Sequence, residues 1–139
     1  MKRLALLLFS VLVCACTTER AAPLEPPPRI VGWHHLASWS GHGSLQTETF
    51  TSDNGSFRIH WETKNETAPG KGSLKVSFRS GDSGRVIIEA VDHKGVGSDT
   101  AIVGDQVRWY YLTIESANIE WLVEVDEPIM GKTVVKSDP

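Results

Sequence analysis

Beyond its sixteenth residue this chain of 139 residues contains no cysteine, because Cys14 and Cys16 are its only two. The remainder therefore has no disulfide, no thiol nucleophile and no cysteine-ligated metal, and its fold must hold by packing alone. Positive charge is also scarce. There are 14 Lys+Arg against 17 Asp+Glu, a net charge of −3. Loss of Lys2 and Arg3 with an N-terminal leader leaves 12 cations against 17 anions, a net charge of −5. Without a basic cluster to exchange counterions at phosphates, nucleic acid is excluded as a partner. The apolar run Leu4–Val13, broken only by Ser10, has ten residues, half of the ~20 that a membrane-spanning helix needs. Helical periodicity does not hold for three turns anywhere after residue 33. There is no Gly-x-Ser-x-Gly elbow, phosphate loop or dinucleotide fingerprint.

What is present has the balance of a soluble domain with a real core: 40% hydrophobic, 22% charged and 8% aromatic. The N-terminus reads differently from the rest. Met1-Lys2-Arg3 is a short basic region, and the apolar run after it has the length of a signal-peptide core. It ends in Val13-Cys14-Ala15-Cys16. This resembles the bacterial lipoprotein signal, with an aliphatic residue at −3, a small residue at −1 and then the lipid-bearing cysteine. Cys16 fits that pattern and Cys14 does not, since bulky Val13 would stand at its −1 position. The resemblance implies that Cys16 becomes the mature N-terminus and carries several acyl chains, enough for lasting membrane attachment. Thr17, standing where Asp marks inner-membrane retention, implies the outer membrane in a Gram-negative host. Residues 17–32, TTERAAPLEPPPRIVG, form a tether in which Pro23 and Pro26-Pro27-Pro28 favour an extended path. The expected organisation is residues 1–16 as signal region, 17–32 as linker, 33–127 as one domain and 128–139 as a tail.

The domain reads as all-β. Alternating runs at His34–Ser40, Ser44–Thr51, Phe57–Glu62, Ser73–Arg79, Arg85–Val91, Ser98–Val103, Val107–Glu115 and Ile119–Glu127 are separated by Gly, Asp, Asn and Ser. Eight short strands with close turns predict an antiparallel sandwich. Parity sends Phe57, Ile59 and Trp61, then Leu74, Val76 and Phe78, then Ile119, Trp121, Val123 and Val125 to the core. The same reasoning sends Val86, Ile88 and Ala90 inward, leaving Ile87 and Val91 outward or at an edge. Leu45 and Phe50 differ in parity, which predicts a bulge or a break between them.

The order of Trp39, Ser40-Gly41-His42-Gly43, Thr47-Glu48-Thr49-Phe50, Phe57–Trp61, Tyr110-Tyr111-Leu112 and Ile119-Glu120-Trp121 resembles small bacterial secreted or lipoprotein domains of unassigned function with a jelly-roll or CUB-like sandwich. The resemblance spans residues 33–127. The expected function is a membrane-anchored, non-enzymatic binding or scaffolding module of the cell envelope, with a carbohydrate-binding module using outward aromatics and a small envelope hydrolase as the alternatives. The CUB family's disulfides and acidic calcium set have no counterpart here.

Candidate contact residues come from Val107–Glu115. With Tyr110, Leu112 and Ile114 in the core, Trp109 and Tyr111 stand on the outer face about 7 Å apart along the strand. An outward Trp/Tyr pair offers rigid area for a sugar ring or a protein partner. The alternative is that other parts of the chain cover both rings. Trp33 is a third candidate. The histidines His34, His35, His42, His60 and His93 show no zinc spacing, and neighbours His34 and His35 point to opposite faces of a strand. No catalytic set, metal or cofactor is expected. The expected partners are the membrane, through the lipid, and an envelope protein or glycan.

Overall fold

Phe57, Ile59 and Trp61 are buried, while Arg58, His60 and Glu62 between them reach solvent. This alternation, repeated along the chain, builds two packed sheets. The computed structural model describes residues 21–22 and 25–132. The signal region with Cys16, linker residues 17–20, 23 and 24, and residues 133–139 lie outside the described residues.

The described residues form nine strands and no helix: β1 (Arg29–Gly41), β2 (Leu45–Gln46), β3 (Phe50–Thr51), β4 (Ser56–Lys64), β5 (Ser73–Ser80), β6 (Val86–Lys94), β7 (Gly97–Gly104), β8 (Trp109–Ala117) and β9 (Glu120–Gly131). One sheet has the order β1-β9-β4-β7; the other runs β2-β8-β5-β6, with β3 also pairing with β8. All the pairings are antiparallel. Taken as two halves of one interrupted strand, β2 and β3 make the connectivity that of a jelly roll. The chain changes sheet at every other connection except β5–β6.

The break expected between Leu45 and Phe50 falls at Thr47. Its backbone N–H donates to the Leu112 carbonyl at 3.0 Å, and its hydroxyl accepts from the Leu112 N–H at 2.9 Å. Thr47 thus supplies by side chain what a continuous strand would supply by backbone, and no polar group of Leu112 is left unpaired.

Between the sheets lies an aromatic cluster. Phe57 meets Phe78 at 5.1 Å and Tyr110 edge-on at 4.9 Å, and Phe50 joins them at 5.7 Å from Phe57. Val76, Leu112, Ile114, Val123 and Val125 are among the buried aliphatic residues packed around it. The Tyr110 hydroxyl donates to Asp105 at 3.0 Å and to the Gln106 carbonyl, so the ring's polar tip is satisfied at the core's edge. Burial first, and then the Asp105 carboxylate, push the Tyr110 phenol up to about 12.

Strand β6 corrects the expected faces. Val91 is 4% exposed and Ile87 packs on the core, while Val86 is 45% and Ile88 37% exposed. Val91 and Ile87 share one parity and Val86 and Ile88 the other, so the strand lies in the opposite phase to the expected one, while Ala90, the extra residue at the register shift between Val76 and Ser77, packs on the core as expected. The domain edges also move. β1 begins at Arg29, inside the expected linker, and β9 runs to Gly131, inside the expected tail. Proline composition marked the linker, but Arg29–Gly32 follows the last proline of that run and is free to pair.

Phe57→Ala is expected to destabilise the domain by about 3–5 kcal/mol, measured as a lowered urea midpoint with an unchanged slope. A loss below ~1 kcal/mol would mean the cluster does not hold the sheets. Tyr110 gives a pH signature. Its phenol titrates at a higher pH folded than unfolded, so the stabilisation is complete below the ordinary value of 10.0 and is lost as pH rises towards about 12. Tyr110→Phe should flatten the alkaline fall in urea stability over that range.

Candidate functional site

The two sheets present two outer faces with different chemistry. On the five-stranded sheet, Tyr110, Leu112 and Ile114 are fully buried, which turns Trp109 and Tyr111 outward. Trp109 is 54% exposed, and Tyr111 is half-buried. Register sets their neighbours: Thr51 pairs with Trp109, and Arg79 pairs with Tyr111 and, on its other side, with Val86. The Arg79 guanidinium is fixed by donating to Thr113 Oγ1 at 3.1 Å and to the Gly84 carbonyl at 2.9 Å. The face therefore presents an indole, a phenol ring and an immobilised cation in sequence.

The turn after β5 buttresses this pair. The Gly81 N–H donates to the Trp109 carbonyl at 2.7 Å, and a Cβ on Gly81 would stand 2.7 Å from Trp109 Cβ. Gly84 adopts φ +72 with its open side 3.3 Å from the Tyr111 hydroxyl. The Gly-Asp-Ser-Gly segment thus does more than reverse the chain, because its two glycines let backbone approach both rings.

On the four-stranded sheet, Asp126 of β9 is the hub. Arg58 of β4 donates to its Oδ2 from Nε at 3.0 Å and from Nη2 at 2.6 Å. His35 of β1 reaches its Oδ1 through Nδ1 at 3.0 Å. The Arg58 guanidinium also stacks 4.3 Å from the Trp33 ring centre. Burial by itself would raise the Asp126 carboxyl; the Arg58 hydrogen bonds and then His35 outweigh it and hold the carboxyl below its usual value. Ser38 adds its hydroxyl 2.9 Å from His35 Nε2. Hydroxyl, imidazole and carboxylate are then spaced as nucleophile, base and orienter are.

Two features set this trio apart from a shielded nucleophile–base–orienter arrangement. The His35 side chain is 54% exposed on an open sheet face, where water screens any charge that develops. Arg58 neutralises the carboxylate that would otherwise stabilise an imidazolium. The trio was invisible to regular strand parity, which puts residues three apart on opposite faces. A register shift between His35 and Ala37 brings both to one side. The signal was available: Leu36 and Trp39 both pack on the core although they differ in parity, and only a bulge between them permits that.

The other histidines are dispersed. His34 faces Glu127 at 3.3 Å, His60 contacts Thr100 at 3.1 Å, and His93 lies 4.6 Å from the Trp61 ring. Among the described residues no group of three His, Cys, Asp or Glu is placed to hold a metal ion.

Asp126→Asn tests the hub. A carboxyl held lower in the folded than in the unfolded chain contributes stability that is complete above its ordinary value of 3.8 and is lost as pH falls through and below it. The substitution should cost about 1–3 kcal/mol at neutral pH and flatten the acid limb of a urea stability profile. An unchanged acid limb would count the ion pair as idle. A scan against protein-family models finds no match for the chain, and a search of curated proteins finds none either.

Proposed function

We propose that this chain is a lipid-anchored, non-enzymatic binding module of the bacterial cell envelope, with the Trp109–Tyr111 face as its contact surface. The observation that carries the reading is Trp109, 54% exposed on a rigid strand whose opposite face is fully buried. A tryptophan held in that way loses little conformational freedom on binding, the property that makes Trp and Tyr dominant in contact energetics. The leader Leu4–Val13, Val13 and Ala15 before Cys16, and the proline tether support export and anchoring at Cys16. Thr17 supports the outer membrane as the destination in a Gram-negative cell. The Ser38, His35 and Asp126 trio lies on an open sheet face with Arg58 paired to its carboxylate, which favours a binder over a small hydrolase.

A second reading makes the ligand a carbohydrate. It is favoured by Trp109 and Tyr111 standing two residues apart on the outer face of β8, a backbone repeat of about 7 Å, with Arg79 fixed beside Tyr111 to donate to ring hydroxyls. An envelope protein is the other ligand class.

Trp109→Ala is expected to weaken ligand capture from solubilised envelopes or a glycan array by about thirtyfold or more, with urea stability unchanged within about 0.5 kcal/mol. Retained binding would remove this face from the reading. Cys16→Ser should release the chain from membranes into the soluble fraction, and a variant that stays membrane-bound would sink the lipid anchor.

A further inference from the structure

Strands β1 and β9 run past the rest of their sheet. β4 pairs with β9 only from Arg58–Asp126 to Lys64–Glu120. The remaining pairs, from His34–Glu127 to Arg29–Gly131, join β1 and β9 alone. They form a two-stranded ribbon projecting from one end of the sandwich.

This ribbon is apolar on both faces. Ile30 pairs with Met130 and shares the side of Trp33, continuous with Arg58 and Asp126. A bulge at Val31 turns that residue to the other side, against Gly131 and alongside Ile129. Ile30, Val31, Ile129 and Met130 are 53%, 67%, 47% and 45% exposed. Single exposed apolar residues are ordinary on a protein surface, but four on one short ribbon are a patch. An isolated two-stranded ribbon is marginal in water; this one is braced at its base. The buried Glu127 accepts from the Asp53 N–H at 3.0 Å and faces His34, and Asn54 donates to the Pro128 carbonyl at 2.9 Å. The apolar tip is thus held out in solvent by a polar clamp.

We propose that this ribbon docks into the interfacial layer of an anionic lipid bilayer. The proposal rests on the lipid-anchored reading above, which it deepens by fixing the domain's orientation. Three observations select lipid over other occupants. The tip carries exposed Arg29 and Lys132 on a chain whose net charge is −3, so the ribbon is locally cationic where anionic headgroups would lie. Trp33 stands at its base, at the depth where indoles favour the membrane–water boundary. The tether from Cys16 enters the domain at Arg29, so a chain anchored there reaches the bilayer tip first. The Trp109–Tyr111 face belongs to the other sheet and stays open to the periplasmic or external side.

The test uses the full chain with vesicles of phosphatidylethanolamine and phosphatidylglycerol. An environment-sensitive fluorescent amino acid is placed at Met130 or at Val96. Val96 is an apt control, 61% exposed and apolar, beside Gly97, which pairs with Thr63 at the opposite end of the sheet. The expected result is a blue shift and quenching by spin-labelled lipid at 130, and an aqueous spectrum at 96. In the Cys16→Ser chain, Arg29→Glu with Lys132→Glu should weaken vesicle affinity by about thirtyfold or more. Both probes aqueous while the chain floats with vesicles would overturn the docking and leave the anchor standing. Lipid quenching at 130 with undiminished flotation in the Cys16→Ser chain would support the ribbon and sink the anchor. A blue shift at 130 that needs no vesicles and rises with protein concentration would overturn the proposal in favour of a second copy of the chain.

Discussion

Two sheets with no disulfide between them are held by the contact of Phe57 with Phe78 and Tyr110, at 5.1 and 4.9 Å. Each ring comes from a different strand, so burying the three together fixes how β4, β5 and β8 face one another. Tyr110 extends this constraint to the surface. Its hydroxyl is tied to Asp105 and Gln106, which locks the register of β8 from its first turn. Because that register is locked, Trp109 and Tyr111 have no route into the core. The exposed aromatic face is a consequence of the buried one.

The same logic organises the four-stranded sheet through charge. Asp126 collects Arg58 from β4 and His35 from β1, so one carboxylate joins three of that sheet's strands on the outer face while Val125 and Val123 join them beneath. Glu127, one residue on and facing the opposite way, does the equivalent for the ribbon by binding the loop that leads into β4. Two adjacent carboxylates thus brace the sheet and its extension. The absence of cysteine from residue 17 onward makes such polar ties, along with close packing, the means by which strand ends are held.

Most of the core could be read from alternation, since Phe57–Trp61, Leu74–Phe78 and Ile119–Val125 lie on regular strands where a period of two suffices. The aromatic pair was legible for the same reason. What failed was parity on the bulged strands. In β6 the phase itself is reversed: alternation sends Val86 and Ile88 inward, but Val91 and Ile87, of the other parity, pack there. In β1 a shift beside Leu36 assembled Ser38, His35 and Asp126, which regular geometry keeps apart. The extent of the domain was blurred likewise, because Arg29–Gly32 and Pro128–Gly131 are too short and mixed to announce themselves until they pair.

By itself the sequence determined the all-β class, the core of the regular strands and the outward side of Trp109, because these depend on neighbours two residues away along one strand. It also held the entire case for export and lipidation at Cys16. Only the tertiary structure decided which sheet each strand joins, where the bulges fall and that β1 and β9 outrun their neighbours to leave an apolar ribbon. Those outcomes depend on hydrogen bonds between residues such as Arg29 and Gly131, about a hundred positions apart in the chain, and no local pattern encodes which distant strand satisfies a given backbone.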